Sequence, residues 1–567
     1  MAQPAVFHVP AWQTEGDERA RGMAGTVCSR ALVLGALLGL FLPVTAWSAA
    51  GQASTRGATA GMGSDGGAAP ATLPLRSAVA HPSPGPAPLA RRAAAAPIPA
   101  GLSTTDEIMT DVRALVDLGP RRSGTPGGDR AAEFMKRRLT ESGIPQVWEH
   151  NVPTYQWEET RSKVSVGGQT IDAFASEHSF FGAADPTWTG SFSTGAGGRT
   201  AKVVDVGDGG TLDMLGKDLR GKIVMFNLRF QIPMLAMGAV SEHLYDPGLS
   251  LLNDPRGLLQ GNPYITNYTS VLREARRRGA VGFVGVLTDY FESNRYRNEY
   301  YRRLQVTMPG FWVTRDEGRR MRSLLPKAGR TATLELEGRR YATPTRTVIG
   351  YLPGKSRETI MVQSHHDSVG PGAVEDASGS ASVIALAKYY AAQPAAERER
   401  GLLFVTFDSH FTGYQSHQAF VKQYIVAEER PFDIVANATV EHIALQGVIR
   451  GGKLVMTNRP EPRAFFRTGG NVVRQTLVEA IRKRDLRRTI IINARTVSED
   501  GSMPTDASYG SAMGVPTASF VSGPIYLYDD MDTIDKVDQA QLRPVTAAFV
   551  DIVDRFDVTT ARALKGR

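Results

Sequence analysis

The chain has 567 residues, 42% of them hydrophobic and 22% charged, the balance of a globular protein long enough for more than one domain with its own core. Its single cysteine, Cys28, excludes an internal disulfide framework and a thiolate metal cluster. Any metal must therefore be held by His, Asp and Glu, a set that suits zinc or another divalent first-row ion. The formal net charge of +8 rests on Lys and Arg spread through helix-like stretches such as residues 273–280 and 479–488. No nucleic-acid module accompanies them, so they read as solvated helix faces and nucleic acid is not an expected partner.

The N-terminus reads as a targeting segment. Arg19, Arg21 and Arg30 precede an apolar run over 31–47, and the small residues Ser48, Ala49 and Ala50 follow it. That is the order of a secretory signal, and Met23 as the start would give it the usual length. The run is short for a membrane span and Pro43 interrupts it, so residues 1–50 are expected to be removed on export, with a retained membrane anchor as the alternative. The expected location is secreted or periplasmic. Residues 51–103 are rich in Ala, Gly, Pro and Ser without hydrophobic periodicity, which predicts a disordered linker and a fold beginning near Thr104.

Helix and strand patterns then alternate. Residues 106–119 and 127–143 carry apolar side chains at helical spacing and end at glycine. Residues 359–366, 401–410, 432–445 and 514–521 are short β-rich runs, and 378–393 between the first two reads as a helix with Val383, Ile384, Ala387 and Tyr390 inward. Such alternation predicts an α/β fold with a mostly parallel central sheet flanked by helices, its site beyond the C-terminal strand ends. Residues 104–189 and 341–560 are assigned to this core.

The stretch 190–340 differs in character. Two β-rich runs within 200–229 are joined through "LRGK", residues 271–287 give a helix, a glycine stop and a strand, and 308–325 give a strand and a helix. In this order the motifs resemble a protease-associated (PA) domain, which implies a smaller inserted α/β unit that covers the cleft without catalysis of its own.

The candidate chemistry is concentrated in "SHHDSVGPGAVEDASG" (364–379), where His365, His366, Asp367, Glu375 and Asp376 lie among glycines. His365 closes one predicted strand and His410 another, and the glycine-rich turn with Glu375 can fold back over the same sheet edge. Glu441 ends a third strand. These groups have the hardness that a zinc ion accepts.

From the entry helices to about residue 560 the chain resembles the secreted zinc aminopeptidases and carboxypeptidases of the glutamate-carboxypeptidase type. The resemblance implies one or two zinc ions, a peptide or protein substrate, and a metal-activated water whose proton passes to a glutamate. It places His365 on a metal-binding histidine and Asp367 on the carboxylate that orients it. It places Glu375 on the bridging carboxylate, with Asp376 able to take that role. Where the family has two adjacent glutamates, the general base and a ligand, this chain has Ser409 and His410. Glu441, followed by His442, stands for a ligand aspartate, and Tyr528, followed by Asp529, for the last ligand histidine. Serine cannot serve as the base at neutral pH. Asp376, Glu499 and Asp500 are the substitute candidates, the last two in the loop 498–506.

The exchange of ligand types, rather than their loss to alanine, predicts a rearranged metal site in a peptidase of exopeptidase type. Two other functions are compatible with the same residues: a catalytically silent peptide-binding relative, and a metal-dependent acyl-transfer enzyme of the glutaminyl-cyclase kind.

Overall fold

The computed structural model describes residues 95–181, 189–297 and 307–566. The signal or anchor expected over 1–50, and residues 51–94 of the expected linker, lie outside these. Ordered chain begins before Thr104: Ala96 N–H donates to Lys483 O at 2.9 Å, Arg484 Nη1 to Pro97 O at 2.6 Å, and Leu102 is buried. Among the described residues no helix is long and apolar enough to cross a membrane.

Among the described residues nine strands form the central sheet: β1 (Gln146–His150), β2 (His243–Tyr245), β3 (Thr347–Leu352), β4 (Glu358–His365), β5 (Gly401–Phe407), β6 (Asp433–Val440), β7 (Arg463–Arg467), β8 (Thr489–Asn493) and β9 (Thr517–Ser522). Their spatial order is β1-β3-β5-β4-β6-β9-β7-β8-β2. The four strands β5-β4-β6-β9 are mutually parallel, as are β7 and β8, while β1, β3 and β2 run antiparallel to their neighbours and β7 antiparallel to β9. The sheet is therefore mixed, and its parallel centre is the part that carries the polar cluster.

Both faces of that centre are covered. On β5, Leu402 and Phe404 face one apolar layer and Leu403, Val405 and Phe407 the other, the period-two alternation of a strand buried on both sides. The first layer is closed by α1 (Thr105–Val116), α2 (Pro126–Glu141), α3 (Ser378–Ala391), α4 (Asn471–Lys483) and α5 (Gln539–Val558). Thr104 caps α1 by accepting from Glu107 N–H, and Glu107 returns the bond to Thr104 N–H. Val383, Ile384, Ala387 and Tyr390 of α3 are all buried, as its periodicity predicts. Beyond the other face lie Phe420 and Tyr424, packed with Phe407 and Phe432.

A second sheet lies between β1 and β3 in sequence, with boundaries that differ from 190–340. It starts at the strand Pro153–Val166 and ends with Thr331–Pro344, and these two pair antiparallel with Pro153 opposite Pro344. Because β1 and β3 also pair, His150 opposite Thr347, the inserted unit leaves the core on one continuous two-stranded ladder. The β-branched and aromatic side chains of 154–166 fit that ladder, a pairing visible only once its distant partner is in place. The expected strands and helices of the insert form at Arg199–Asp205, Ile223–Leu228, Tyr268–Arg277, Gly282–Leu287, Gly310–Val313 and Arg315–Leu324.

The insert is not self-contained. Residues 243–245 leave it to form β2 at the edge of the central sheet. Val224, Phe226, Phe283 and Trp312 belong to the same apolar cluster as Val348, Ile360 and Phe404 of the central sheet, while Met225, Val284 and Phe311 face a separate layer. A shared core predicts one cooperative melting transition rather than two. Trp312→Ala, which empties a fully buried site, should cost about 3–5 kcal/mol and lower that single transition as a whole. Calorimetry that resolved two transitions, with only one moved by the substitution, would contradict a common core.

Candidate functional site

Four groups meet beyond the C-terminal ends of the parallel strands. His365 is the last residue of β4, His410 follows β5, His442 follows β6, and the turn before α3 carries Glu375. His365, Glu375 and His442 are at most 1% exposed and His410 is 6% exposed, so His410 marks the side nearest solvent.

Glu375 is the common partner. Its Oε1 lies 3.4 Å from His365 Nε2 and 3.6 Å from His410 Nε2, and its Oε2 lies 2.7 Å from His442 Nε2. Behind each ring, Nδ1 faces an acceptor. His365 Nδ1 is 3.1 Å from Asp367 O and 3.3 Å from Asp367 Oδ1, and His410 Nδ1 is 2.8 Å from Asp506 Oδ1. His442 Nδ1 is 3.0 Å from Ser522 O and 2.5 Å from the Tyr264 hydroxyl. A proton on each Nδ1 satisfies these acceptors and turns each Nε2 toward the carboxylate.

His365 Nε2, His442 Nε2 and both oxygens of Glu375 are buried and make no hydrogen bond; the 2.7 Å contact is an ion pair without hydrogen-bond alignment. Each buried polar atom left so costs about 1–3 kcal/mol. A cation among them relieves that cost. Ligand-to-ligand edges of a tetrahedral zinc shell with bonds of ~2.0–2.1 Å are roughly 3.3 Å, close to the 3.4 and 3.6 Å spacings here. The donor atoms of His365, Asp376 and His442, and those of His365, His410 and Asp506, also lie within 4.8 Å of one another. By chemistry and spacing the residues fit a divalent metal.

The electrostatics are those of an anion wrapped in imidazoles. Burial alone raises the Glu375 carboxyl, but His442 and His365 override it and pull it well below the usual range. Burial lowers His442, and the Glu375 carboxylate opposes this and carries it up to about 10. Burial likewise lowers His365, while Asp367, Asp506 and Glu375 together raise it well above its ordinary value. Without metal, the Glu375 carboxylate thus favours the doubly protonated, cationic form of His442 at neutral pH.

The turn bearing Glu375 is held from three sides. Val374 and Glu375 N–H groups donate to Asp532 at 2.9 Å. Arg121, fully buried, donates to the carbonyls of His366, Pro371 and Gly372. Asp376 accepts from the Ser364 hydroxyl at 2.5 Å and from the N–H groups of Gly379 and His442 at 3.0 Å, which fastens this turn to the end of β6.

Of the residues expected from sequence, His365, Glu375 and His410 come together, Asp367 stands behind His365, and Asp376 locks the backbone. Glu441 does not join them: its Oε1 accepts Asp506 N–H at 3.1 Å, and no ion pair links it to the three imidazoles. The place expected for Glu441 is taken by the next residue, His442, whose φ of 56° turns the chain at the strand end. Tyr528 is buried, its ring 6.4 Å from Phe411 and 6.1 Å from Tyr264. Ser409 is a turn residue at φ 67°, its hydroxyl 3.0 Å from Ser416 Oγ, so it positions His410. His366 points elsewhere, its Nδ1 at Thr406 Oγ1, and burial pushes it down to about 4. Asp529 binds Ser293 of the insert. Glu499 is exposed, and Asp500 is bonded within its own loop to Ser498 and Ser502.

Two members were not singled out in the sequence. Asp506 sits at the end of the loop that also holds Glu499 and Asp500, and bridges His410 to His417, whose Nε2 is 2.9 Å from Asp506 Oδ2. His417 stacks on Phe407 at 3.9 Å. The hydrogen-bonding "PTD" end of the loop was the available signal, obscured by two more conspicuous acids before it.

Residues 347–553 match the model of peptidase family M28. Among solved structures, the chain is similar to BSAP, a zinc aminopeptidase from Bacillus subtilis, with 15% identity, 81% of this chain and 98% of that one covered, and a TM-score of 0.55. It is similar to a peptidase M28 precursor from Shewanella amazonensis at 18% identity, with 80% and 93% covered and a TM-score of 0.54. An aminopeptidase from Aneurinibacillus sp. strain AM-1 gives 18% identity, 80% and 93% coverage and a TM-score of 0.52. At these identities the likeness is one of fold. No curated protein sequence matches the chain.

Two outcomes are expected. Because His442 keeps its second proton at pH 7 without metal, zinc uptake should release at least one proton, and apparent affinity should rise with pH from neutrality toward 10. Calorimetric titration in buffers of different ionisation heat measures this, and a release near zero would contradict it. Asp506→Ala, which removes the acceptor behind His410, should weaken zinc binding about 10–100-fold in competition with a chromophoric chelator. Unchanged affinity would mean that His410 needs no such support.

Proposed function

From the premise that residues 347–553 are an M28-family peptidase domain, we propose that this protein is a zinc-dependent exopeptidase of the aminopeptidase type, with an altered set of ligands. One observation carries the reading: three imidazoles, each backed at Nδ1, turn Nε2 toward a single buried carboxylate whose oxygens have no hydrogen-bond partner. His365, His410, His442 and Glu375 would hold the ion. When bound, zinc supplies Lewis-acid polarisation of the scissile carbonyl and brings the pKa of a coordinated water to about 7.

The remaining chemistry belongs to the chain. Asp367, Asp506 and Ser522 O keep the three rings oriented. Asp376 and Asp532 hold the turn that presents Glu375. The other nearby carboxylates are engaged by hydrogen bonds, Glu441 with Asp506 N–H, which leaves Glu375 as the carboxylate facing the imidazoles, one oxygen toward His365 and His410 and the other toward His442. Ser409, bonded to Ser416, takes no part in proton transfer. The insert, residues 153–344, is read as a PA-like cover over this end of the sheet, and the N-terminal pattern as export of the mature chain.

A second reading has one observation in its favour: no carboxylate outside the cluster stands free to act as a base, which is also the condition of a relative that binds peptides without cutting them. The cyclising alternative has no comparable support. The reading is tested by loading the purified protein with zinc and supplying leucine p-nitroanilide and its N-acetylated counterpart. Hydrolysis of the free-amine substrate alone, abolished by chelation and restored by zinc, is expected. Stoichiometric zinc with neither substrate cleaved would favour the silent binder.

A further inference from the structure

We propose that the cleft beside His442 is a subsite for the cationic side chain of a peptide, lysine or arginine, with the Glu461 carboxylate as the recognising group. The inference rests on the peptide-substrate reading above. The cleft is lined by Met234, Met237 and Phe466 on its apolar walls, by Glu461, and by Tyr264 and Ser522. Those last two residues also hold His442 Nδ1, so the cleft and the metal cluster share a wall.

Glu461 is the unusual member. It is 7% exposed, and its Oε2 is buried with no hydrogen-bond partner among the described residues. No Lys, Arg or His among the described residues lies in ion-pair distance of it. The basic group whose charge Glu461 feels most, Arg488, pairs its Nη2 with Asp254 Oδ2 at 2.8 Å and donates from Nη1 to Gln446 Oε1 at 3.1 Å, while its Nε has no hydrogen-bond partner among the described residues. Arg488 thus pairs with the partly buried Asp254 and not with Glu461, which lines the cleft. Burial pushes this carboxyl up to about 8 against the opposing pull of Arg488 and of a hydrogen bond from Gly447 N–H, and a bound ammonium or guanidinium would favour its charged form.

The walls select the same ligand. A lysine or arginine side chain has an aliphatic stem that needs apolar cover and a charged head that needs an acceptor. Methionine thioethers and a phenyl ring adapt to such a stem, and the lone carboxylate at depth meets the head. A neutral straight-chain residue would gain the walls but leave Glu461 unpaired, so the discrimination resides in the charge.

The experiment is direct binding to the zinc-loaded full chain. Lysinamide is compared with norleucinamide, which keeps the stem and lacks the ammonium, in the wild type, in Glu461→Gln and in Met234→Lys, which places a competing cation on the cleft wall. Lysinamide is expected to bind at least tenfold more tightly than norleucinamide to the wild type. Both variants should lose that ratio while retaining norleucinamide binding and zinc stoichiometry. Should Glu461→Gln fail to fold, Met234→Lys on the partly exposed helix Met234–Ala239 still decides the matter. Equal affinities in the wild type, or a ratio that survives in either folded variant, overturn the subsite. Peptidase activity is assayed in parallel. Preferential lysinamide binding without hydrolysis supports the subsite and removes the peptidase, whereas hydrolysis with no preference for basic residues supports the peptidase and removes the subsite.

Discussion

A single buried carboxylate surrounded by three imidazoles organises this end of the molecule. Glu375 makes no hydrogen bond through either oxygen, and the charges nearest to it belong to His442 and His365. Such a group is tolerable in a low-dielectric interior only when opposite charge is held close by, whether protons on the rings or a metal ion in their place. Everything around it serves to keep four side chains at those distances. Asp367, Asp506 and Ser522 O fix the rings from behind, and Arg121, Asp376 and Asp532 fix the turn in front.

The fold explains why this can be done with short side chains. Three parallel strands end side by side, and the residues just past their ends share one edge of the sheet. The helix α3 starts immediately after the Glu375 turn and packs under β4, β5 and β6, so that turn cannot drift from the strand ends. The inserted sheet adds to this from outside. It leaves on the β1/β3 ladder and shares the apolar core, and residues 262–264 bring Tyr264 to His442.

The parts legible in the sequence were those governed by periodicity. The central strands, the entry helices and α3 follow from apolar spacing, and His365, Glu375 and His410 follow from their places at strand ends and in a glycine-rich turn. What spacing does not encode is which of two neighbouring residues faces inward after a strand has ended. At Glu441–His442 and at Ser409–His410 the backbone passes through the left-handed region, φ 56° at His442 and 67° at Ser409, at a cost of about 1 kcal/mol for a residue with a Cβ. Strand parity no longer applies beyond such a point, so Glu441 and Ser409 looked equivalent to the residues that matter. Asp506 is hidden for a different reason: its position depends on a loop packed against distant elements, as does that of the strand Pro153–Val166, whose partner lies beyond residue 330.

The account depends on the ion being held by histidine nitrogen from three separate strand ends. Zinc-edge X-ray absorption on the purified, zinc-loaded protein reads that directly. Three imidazoles with an oxygen donor at about 2.0–2.1 Å are predicted, falling to two imidazoles in His442→Ala. A wild-type spectrum fitted by a single imidazole, or one that His442→Ala leaves unaltered, would contradict the three-histidine centre.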